Sequence, residues 1–327
     1  MDTGAVIQTT PASVGEREVE GLLGEESGFE GVEQPPVEII EHKQPLLEAM
    51  REAWDCRHLF WQIASSALLA YIVRFRLGPT WILLQVFMPL LGFSLIFGGG
   101  VFNVKAPNGM PYFLYMMVGM MGWQLFNTTL NISARSFLRL RSLVRNLHIP
   151  LVLIPIAGSA QALLRFFLYL SAYVIAIVYF WIKEGRIYAQ LQPKYLALSI
   201  LGLSLCVLLA WGISFWTAPL TVHTRDVRMA LKFAMPFWMF VTPVLYPIDH
   251  LRGKTRLIAE LNPVSSPVEM AKVGMLGAGS VHLVAAIWSI ALIAGVFASG
   301  VWFVSRHGAR FAGLREDIDE DDEEMMM

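Results

Sequence analysis

The sequence predicts an all-α integral membrane protein. Of its 327 residues, 55% are hydrophobic and only 16% are charged, whereas about 25% of the residues in a soluble domain are charged. The mean hydropathy is +0.53. The charged residues gather at the two termini and in a few connecting segments, which leaves long uncharged stretches between them. Stretches of this length and composition are typical of helices that cross a bilayer.

Six apolar stretches predict six transmembrane helices. They cover residues 80–101, 112–132, 151–182, 195–220, 233–248 and 281–304. Pro89 predicts a kink in the first stretch, and Pro236 and Pro243 interrupt the fifth. Six spans put both termini on one side of the membrane, and short arginine-rich connections favour the cytoplasm for that side. The connections on the other side also carry basic residues, several of which are offset by acids.

Residues 133–150, between the second and third stretches, form a predicted amphipathic helix at the cytoplasmic surface. At 100° per residue, its apolar side chains gather on one side, except Leu138, and its basic side chains gather on the other. The basic side contains Arg135, Arg139, Arg141, Arg145 and His148. A helix of this kind lies at the boundary between lipid and water, where a soluble partner can push on it.

The remaining segments divide the chain into three parts. Residues 1–45 are acidic and rich in Gly, Glu and Pro, which predicts a disordered extension, and residues 313–327 predict a disordered acidic tail. Residues 46–62, at the start of the membrane domain 46–312, form a predicted amphipathic helix that lies flat on the cytoplasmic leaflet. In the odd region 249–280, we interpret residues 264–277 as a re-entrant segment, with an ordinary external loop as the alternative.

Residue patterns that carry catalysis are missing from the sequence. Gly253-Lys254-Thr255 lacks the earlier glycine, the preceding strand and the surrounding fold of a phosphate-binding loop. The seven histidines are scattered without ligand spacing, and the two cysteines lie far apart. No paired carboxylates occur at membrane depth. The sequence therefore predicts no catalytic residue, no metal site, no disulfide and no binding of nucleic acid.

Arg165 is the only charged residue between Leu151 and Ile182. A charge at the bilayer centre costs about 2.5–3.5 kcal/mol on insertion scales. Two interpretations remain open: the side chain snorkels to the inner boundary, or it lines a translocation pathway. Packing and interface belts explain most aromatic residues of the spans, but a minority suit a conduit for sugars. The candidate pathway residues are Arg165, Tyr169, Trp216, Trp238 and Tyr246.

Four stretches of the sequence carry a family resemblance. They are Arg74 to Trp81, Asn146 to Pro150 with Ile154 to Ala157, Arg225 to Arg228 with Phe240 to Pro247, and Leu261 to Gly277. Through them, residues 46–312 resemble the membrane subunit of ABC-2 type exporters of bacterial polysaccharides such as O-antigen, capsule and teichoic acid. The sequence departs from that family at Arg165, near which family members often carry an acidic residue. Residues 1–45 lie outside the resemblance.

The resemblance implies a multi-pass protein of the bacterial inner membrane with six transmembrane helices and both termini in the cytoplasm. The interface helix, the coupling helix and the re-entrant segment all belong to that fold. The resemblance further implies a homodimer, embedded in membrane lipids, that docks two separate ATP-binding subunits. The coupling residues are then Arg135, Arg139, Arg141, Arg145, His148, Arg225 and Asp226. ATP and magnesium are expected on the partner subunit, and no cofactor is expected on this chain.

A glycan linked to a lipid carrier is the substrate that the resemblance implies. Arg74 and Arg76 at the inner mouth can meet the phosphate of that carrier through charge-assisted hydrogen bonds. An exporter of drugs or other small molecules with the same fold is the first alternative. An integral membrane enzyme acting on lipid-linked sugars is the next, and it lacks candidate catalytic groups. A secondary transporter is the last, and the missing intramembrane carboxylates argue against ion coupling.

Overall fold

A computed structural model of the chain describes residues 64, 65, 69, 79–99, 104–139 and 151–311. Within these ranges the chain is helical and contains no strand. The helices are α1 (Pro79–Phe93, followed by a π-helical turn, Ser94–Gly99), α2 (Tyr112–Ser133), α3 (Ser136–Arg139), α4 (Leu153–Gly158), α5 (Ala160–Glu184), α6 (Pro193–His223), α7 (Arg225–Val241), α8 (Gly253–Leu261), α9 (Ser265–Leu276) and α10 (Leu283–Phe311).

Three helical stretches among the described residues are long and apolar enough to cross a membrane. They are Leu153–Glu184, Pro193–Val222 and Leu283–Gly308. The prediction of a helical membrane protein is therefore confirmed, whereas the number of six spans stays a prediction. The apolar part of α1 is shorter, Leu84–Gly98. In α2, Gln124, Asn127 and Asn131 lower the apolarity of a helix that is otherwise long enough.

Helix α2 lies inside the bundle. Of its 22 residues, 17 are buried, from Tyr112 to Ser133. The polar side chains of α2 have hydrogen-bond partners: Asn131, which is half-buried, donates to the Asn127 side chain at 2.7 Å, and the buried Ser133 donates to the Pro155 carbonyl at 2.8 Å. Polar groups in the interior of a helix bundle find partners on their own or on neighbouring helices rather than facing lipid.

Helix α6 is the helix around which the others pack, since it contacts α2, α9 and α10 extensively. Its contact with α10 depends on glycine, because a Cβ atom added to Gly300 would lie 2.5 Å from the Gly212 carbonyl oxygen. Small residues at such positions let two backbones approach closely, which is how helices associate where no hydrophobic effect drives them together.

Two predicted boundaries differ from the structure. The fifth stretch, 233–248, is not one helix, because α7 begins at Arg225 and ends at Val241. Residues 225–232, which lie before the predicted span, instead form the first half of α7. Pro243 has no N–H to continue a helix, and the backbone is already extended at Thr242. The third stretch is broken at Ser159, between α4 and α5.

The odd region before the last span consists of α8 and α9, joined by Asn262 to Val264. Helix α9 packs against α6 and α2, and 10 of its 12 residues are buried. Gly277 ends α9 with a φ of 63°, a left-handed conformation that glycine adopts without steric cost. The predicted extension 1–45, interface helix 46–62 and tail 313–327 lie outside the described residues.

Candidate functional site

A buried ion pair on α9 is the most unusual chemical feature of the described bundle. Lys272 and Glu269, three residues apart, are joined by an Nζ–Oε1 hydrogen bond of 3.0 Å. Both side chains are almost fully buried, with exposures of 0% and 2%. The ammonium also donates to the Tyr115 hydroxyl at 3.0 Å and to the Pro243 carbonyl. All three of its N–H groups therefore have acceptors, which a buried charge requires.

The pair depends on close packing of three segments. A Cβ atom added to Gly119 of α2 would collide with the Val244 carbonyl oxygen and would lie 2.9 Å from Lys272 Cε. Glycine at 119 thus lets the segment after α7 and the lysine side chain lie directly on α2. Nearby, the Tyr112 hydroxyl donates to the Leu245 carbonyl at 2.6 Å. Helix α2, the segment 242–247 and α9 therefore meet at one place, which we call the α9 end of the bundle.

A second polar network links α7 to the connection between α8 and α9. Trp238 Nε1 donates to Asn262 Oδ1 at 2.9 Å, and Asn262 Nδ2 donates to Thr242 Oγ1 at 2.8 Å. The same Oδ1 accepts from the Val264 N–H at 3.1 Å. Asn262 is 7% exposed. The oxygen and the nitrogen of its side-chain amide are both hydrogen-bonded, and they link α7 to the connection between α8 and α9.

At the surface of the α9 end lies a cluster of charged and polar residues. Ser280 donates to both carboxylate oxygens of Asp249, at 2.7 and 2.8 Å. His282 Nε2 lies 2.9 Å from the Arg256 guanidinium and 3.6 Å from Asp249. A hydrogen bond to Glu260 raises the pKa of the Arg256 guanidinium above its ordinary value. The cluster ties α8 to the start of α10.

The opposite end of the bundle, which we call the α3 end, carries the four predicted coupling residues that the structure describes. Phe137 of α3 packs in an apolar cluster with Phe215 and Ala218 of α6 and with Val301 and Val304 of α10. Arg135 and Arg139 flank Phe137 and are exposed. Arg225 and Asp226, also exposed, follow the last residue of α6. The structure therefore brings these four charged residues to the same end.

A comparison with protein families identifies the family to which this helix bundle belongs. The model of the ABC-2 type transporter family matches residues 58–276, which is more than half of the chain. The chain belongs to the ABC-2 type transporter family. The match ends at the last residue of α9, so the buried ion pair lies within it. Membership implies a partnership with ATP-binding subunits.

Relatives of this transporter are named for O-antigen export. It is 24% identical to the O-antigen export system permease protein RfbA of Myxococcus xanthus, over 223 residues that cover 68% of this chain and 81% of that protein. It is 23% identical to the protein of the same name from Klebsiella pneumoniae, over 199 residues that cover 60% and 73% of the two chains. Both relatives are named permeases, and membership in a transporter family identifies this chain as a transport protein.

The five predicted pathway residues contact different parts of the transporter. Tyr169 is buried at 2% exposure, while Arg165, four residues earlier on α5, is half-buried. Trp216 stacks on Phe303 of α10, with ring centroids 4.3 Å apart. Trp238 belongs to the Asn262 network, and the Tyr246 hydroxyl donates to the Phe240 carbonyl at 2.8 Å. Lining of a pathway by these residues stays a prediction.

Glu269 and Lys272 were not among the site residues predicted from the sequence. No intramembrane carboxylate was expected, and the structure buries the carboxylate of Glu269 inside the helix bundle. The available signal was a pair of opposite charges three residues apart in an otherwise apolar short segment, a spacing at which helical side chains meet. Because Lys272 neutralises Glu269, the pair gives no support to ion coupling.

The remaining predicted site residues lie outside the described residues. These are Arg74 and Arg76 at the inner mouth, and Arg141, Arg145 and His148 of the coupling segment. Among the residues that the structure does describe, no group of three His, Cys, Asp or Glu side chains is arranged to hold a metal ion.

Proposed function

We propose that this transporter is the membrane subunit of an ATP-driven exporter that moves a lipid-linked polysaccharide across the bacterial inner membrane. The observation that carries the proposal is its similarity to permeases named for O-antigen export, over most of the length of those proteins. ATP and magnesium bind a separate subunit in this proposal, and the chain itself needs no cofactor. Its substrate is a glycan such as O-antigen or capsule, attached to a lipid carrier.

The α3 end supports docking of the ATP-binding subunits. Arg135 and Arg139 are exposed beside the rigid apolar cluster around Phe137, and Arg225 and Asp226 begin α7 at the same end. A soluble partner that pushes on this end meets charged side chains anchored on packed helices. The proposal places this end, and with it both termini, in the cytoplasm, because arginine-rich connections stay there.

The exposed faces of α1 and α7 support a homodimer. Phe93 of α1 and Phe240 of α7 are in edge contact, with ring centroids 6.5 Å apart, so the two helices touch at this point. Phe233 and Phe237 of α7 are 68% and 74% exposed. Lys232 is exposed on the same helix, and a lysine facing lipid is costly. A second copy of the chain is therefore a better cover for α7 than lipid.

Six spans follow if α1, α2 and α7 cross the membrane together with the three apolar stretches. Protein neighbours cover α2, and the second copy covers α1 and α7, so these helices need not be as apolar as α5, α6 and α10. Helix α9 then acts as a re-entrant helix at the outer side. Arg74 and Arg76 lie just before α1, where we propose that they meet the carrier phosphate at the inner mouth.

Copurification and reconstitution test this proposal. The tagged chain, isolated from native membranes in mild detergent, is expected to bring an ATPase subunit with a phosphate-binding loop. In proteoliposomes, lipid-linked glycan should stimulate ATP hydrolysis by that complex, and the glycan should accumulate on the far side only when ATP is present. Stimulation by drug-like cations but not by glycan would identify a small-molecule exporter instead. Transport by the chain alone would contradict the dependence on a separate ATPase.

A further inference from the structure

A small cavity lies beside the buried ion pair at the α9 end. Its volume is about 10 Å³, and a cavity of roughly 10–15 Å³ holds one water molecule. Polar and apolar side chains share its wall: Ile248, Ser266, Glu269, Ser280, Val281, His282 and Ala285 line it. The cavity is thus roomy enough for one water molecule and polar enough to bind it.

Glu269 has one carboxylate oxygen that the ion pair does not use. Oε1 accepts from Lys272, but Oε2 is fully buried and has no hydrogen-bond donor among the described residues. A Cβ atom added to Gly279 would lie 2.6 Å from this oxygen, so the chain leaves space there only because residue 279 is glycine. A buried carboxylate oxygen without a donor loses its hydration without compensation, which destabilises the folded state.

We propose that the cavity is a binding site for one water molecule, which donates to Glu269 Oε2 and to Ser280 Oγ. The Ser280 hydroxyl donates its hydrogen to the Asp249 carboxylate. Its oxygen can therefore accept a hydrogen bond through its lone pairs. The Ser266 hydroxyl, on the first turn of α9, supplies a donor to the water oxygen. These partners fall within the two to four that buried waters use.

The water completes a hydrogen-bonded chain from the protein surface to the core. The chain runs from Asp249, whose side chain is 50% exposed, through Ser280 and the water to Glu269 and Lys272. His282, Arg256 and Glu260 surround its outer part, and Tyr115 lies at its inner end. The site therefore fixes the loop before α10 to the buried pair on α9, and it exists whatever cargo the transporter moves.

A cavity-filling substitution tests whether a water molecule occupies the cavity. Ala285 lines the cavity from α10, and Ala285→Val adds methyl groups that displace the water and leave Oε2 without a donor. We expect this variant to lower the apparent Tm in detergent more than Ala294→Val, its control at an exposed position of the same helix. The control measures the cost of a β-branched residue in α10 by itself.

Filling a dry void would instead raise the apparent Tm, because added methyl groups then gain contacts. Equal or higher stability of Ala285→Val than of Ala294→Val therefore overturns the proposal. A high-resolution cryo-EM map of the full chain in nanodiscs gives the second readout. Density about 2.8 Å from Glu269 Oε2 and Ser280 Oγ is expected for water. No density, or a peak at the roughly 2.3–2.6 Å of a coordinated cation, overturns it.

Discussion

Lys272 on α9 donates a hydrogen bond to the main-chain carbonyl of Pro243, on the segment that follows α7. Because the same ammonium holds Glu269 at 3.0 Å, one buried charge ties the end of α7 to α9. The other end of α7 begins with Arg225 and Asp226 at the α3 end. Helix α7 thus joins the charged end of the transporter to its buried ion pair.

Removing one partner of the buried pair should destabilise the transporter strongly. Lys272→Met leaves the Glu269 carboxylate buried without its counter-charge, and such a loss costs about 3–5 kcal/mol. The double variant Glu269→Leu with Lys272→Met removes both charges and should recover most of that stability. Thermal unfolding of the wild type, the two single variants Lys272→Met and Glu269→Leu, and the double variant in detergent gives the double-mutant cycle.

The exposed pair Arg256–Glu260 provides the control for that cycle. Its two side chains are also hydrogen-bonded, at 2.8 Å, but they are accessible to solvent, which weakens such pairs. Arg256→Met should therefore change the apparent Tm much less than Lys272→Met. Equal effects of the two substitutions would show that burial gives the Glu269–Lys272 pair no special role.

Asn262 should matter more than any single partner in its network. Asn262→Ala leaves Trp238 Nε1 and the Val264 N–H without their acceptor, and each buried unsatisfied group costs about 1–3 kcal/mol. Trp238→Phe removes only one donor, because Asn262 Oδ1 still accepts from Val264. After heating, size-exclusion chromatography should therefore show less folded protein for Asn262→Ala than for Trp238→Phe. The reverse order would contradict the role of Asn262 as the shared partner.

The contact between α6 and α10 should fail when Gly300 gains a side chain. Gly300→Ala places a methyl group 2.5 Å from the Gly212 carbonyl oxygen, so the two helices must separate. Gly295 lies on the same helix with nothing within 4 Å of an added Cβ. Gly295→Ala should be neutral or stabilising by up to about 1 kcal/mol. Similar Tm values for the two variants would refute this contact.

Charge reversal at the α3 end should weaken the proposed binding of the ATPase. Arg135→Glu with Arg225→Glu is expected to reduce the ATPase that copurifies with the chain, and the residual binding should depend less on salt. Lys183→Glu with Lys194→Glu changes the same number of charges at the other end of α5 and α6 and serves as the control. Loss of ATPase from the control, or its full retention by the α3-end variant, would contradict the docking surface.

Cysteine cross-linking should report the proposed dimer face. The native Cys56 and Cys206 are first replaced by alanine, since Cys206 is a buried free thiol. Phe237→Cys on α7 should then form a disulfide-linked dimer on mild oxidation in membranes. Ile175→Cys, equally apolar and 66% exposed on α5, should stay monomeric if that face meets lipid. Dimers that form only through residue 175 would move the interface to α5.

Part of the site was predictable from local patterns, and part was not. Arg135 and Arg139 were expected on the polar side of a helix, and both are exposed around the buried Phe137, since the period of a helix separates such residues without reference to the rest of the chain. Asn262 lies in the region 249–280, just before the predicted re-entrant segment 264–277, but its partner Trp238 lies 24 residues away. Nothing in the local sequence around Asn262 indicates that the two side chains meet.

The sequence by itself determined that this chain forms apolar helices joined by charged connections. A long stretch without charges avoids water wherever it lies in the fold. The tertiary structure decided that α9 is buried, that Gly119 makes room for Lys272, and that a carboxylate lies inside the bundle. Burying a charge is favourable only when its counter-charge and hydrogen-bond acceptors are in place. Here Glu269 lies one helical turn from Lys272, whereas Tyr115 and Pro243 come from distant parts of the chain that only the tertiary structure brings to the ammonium.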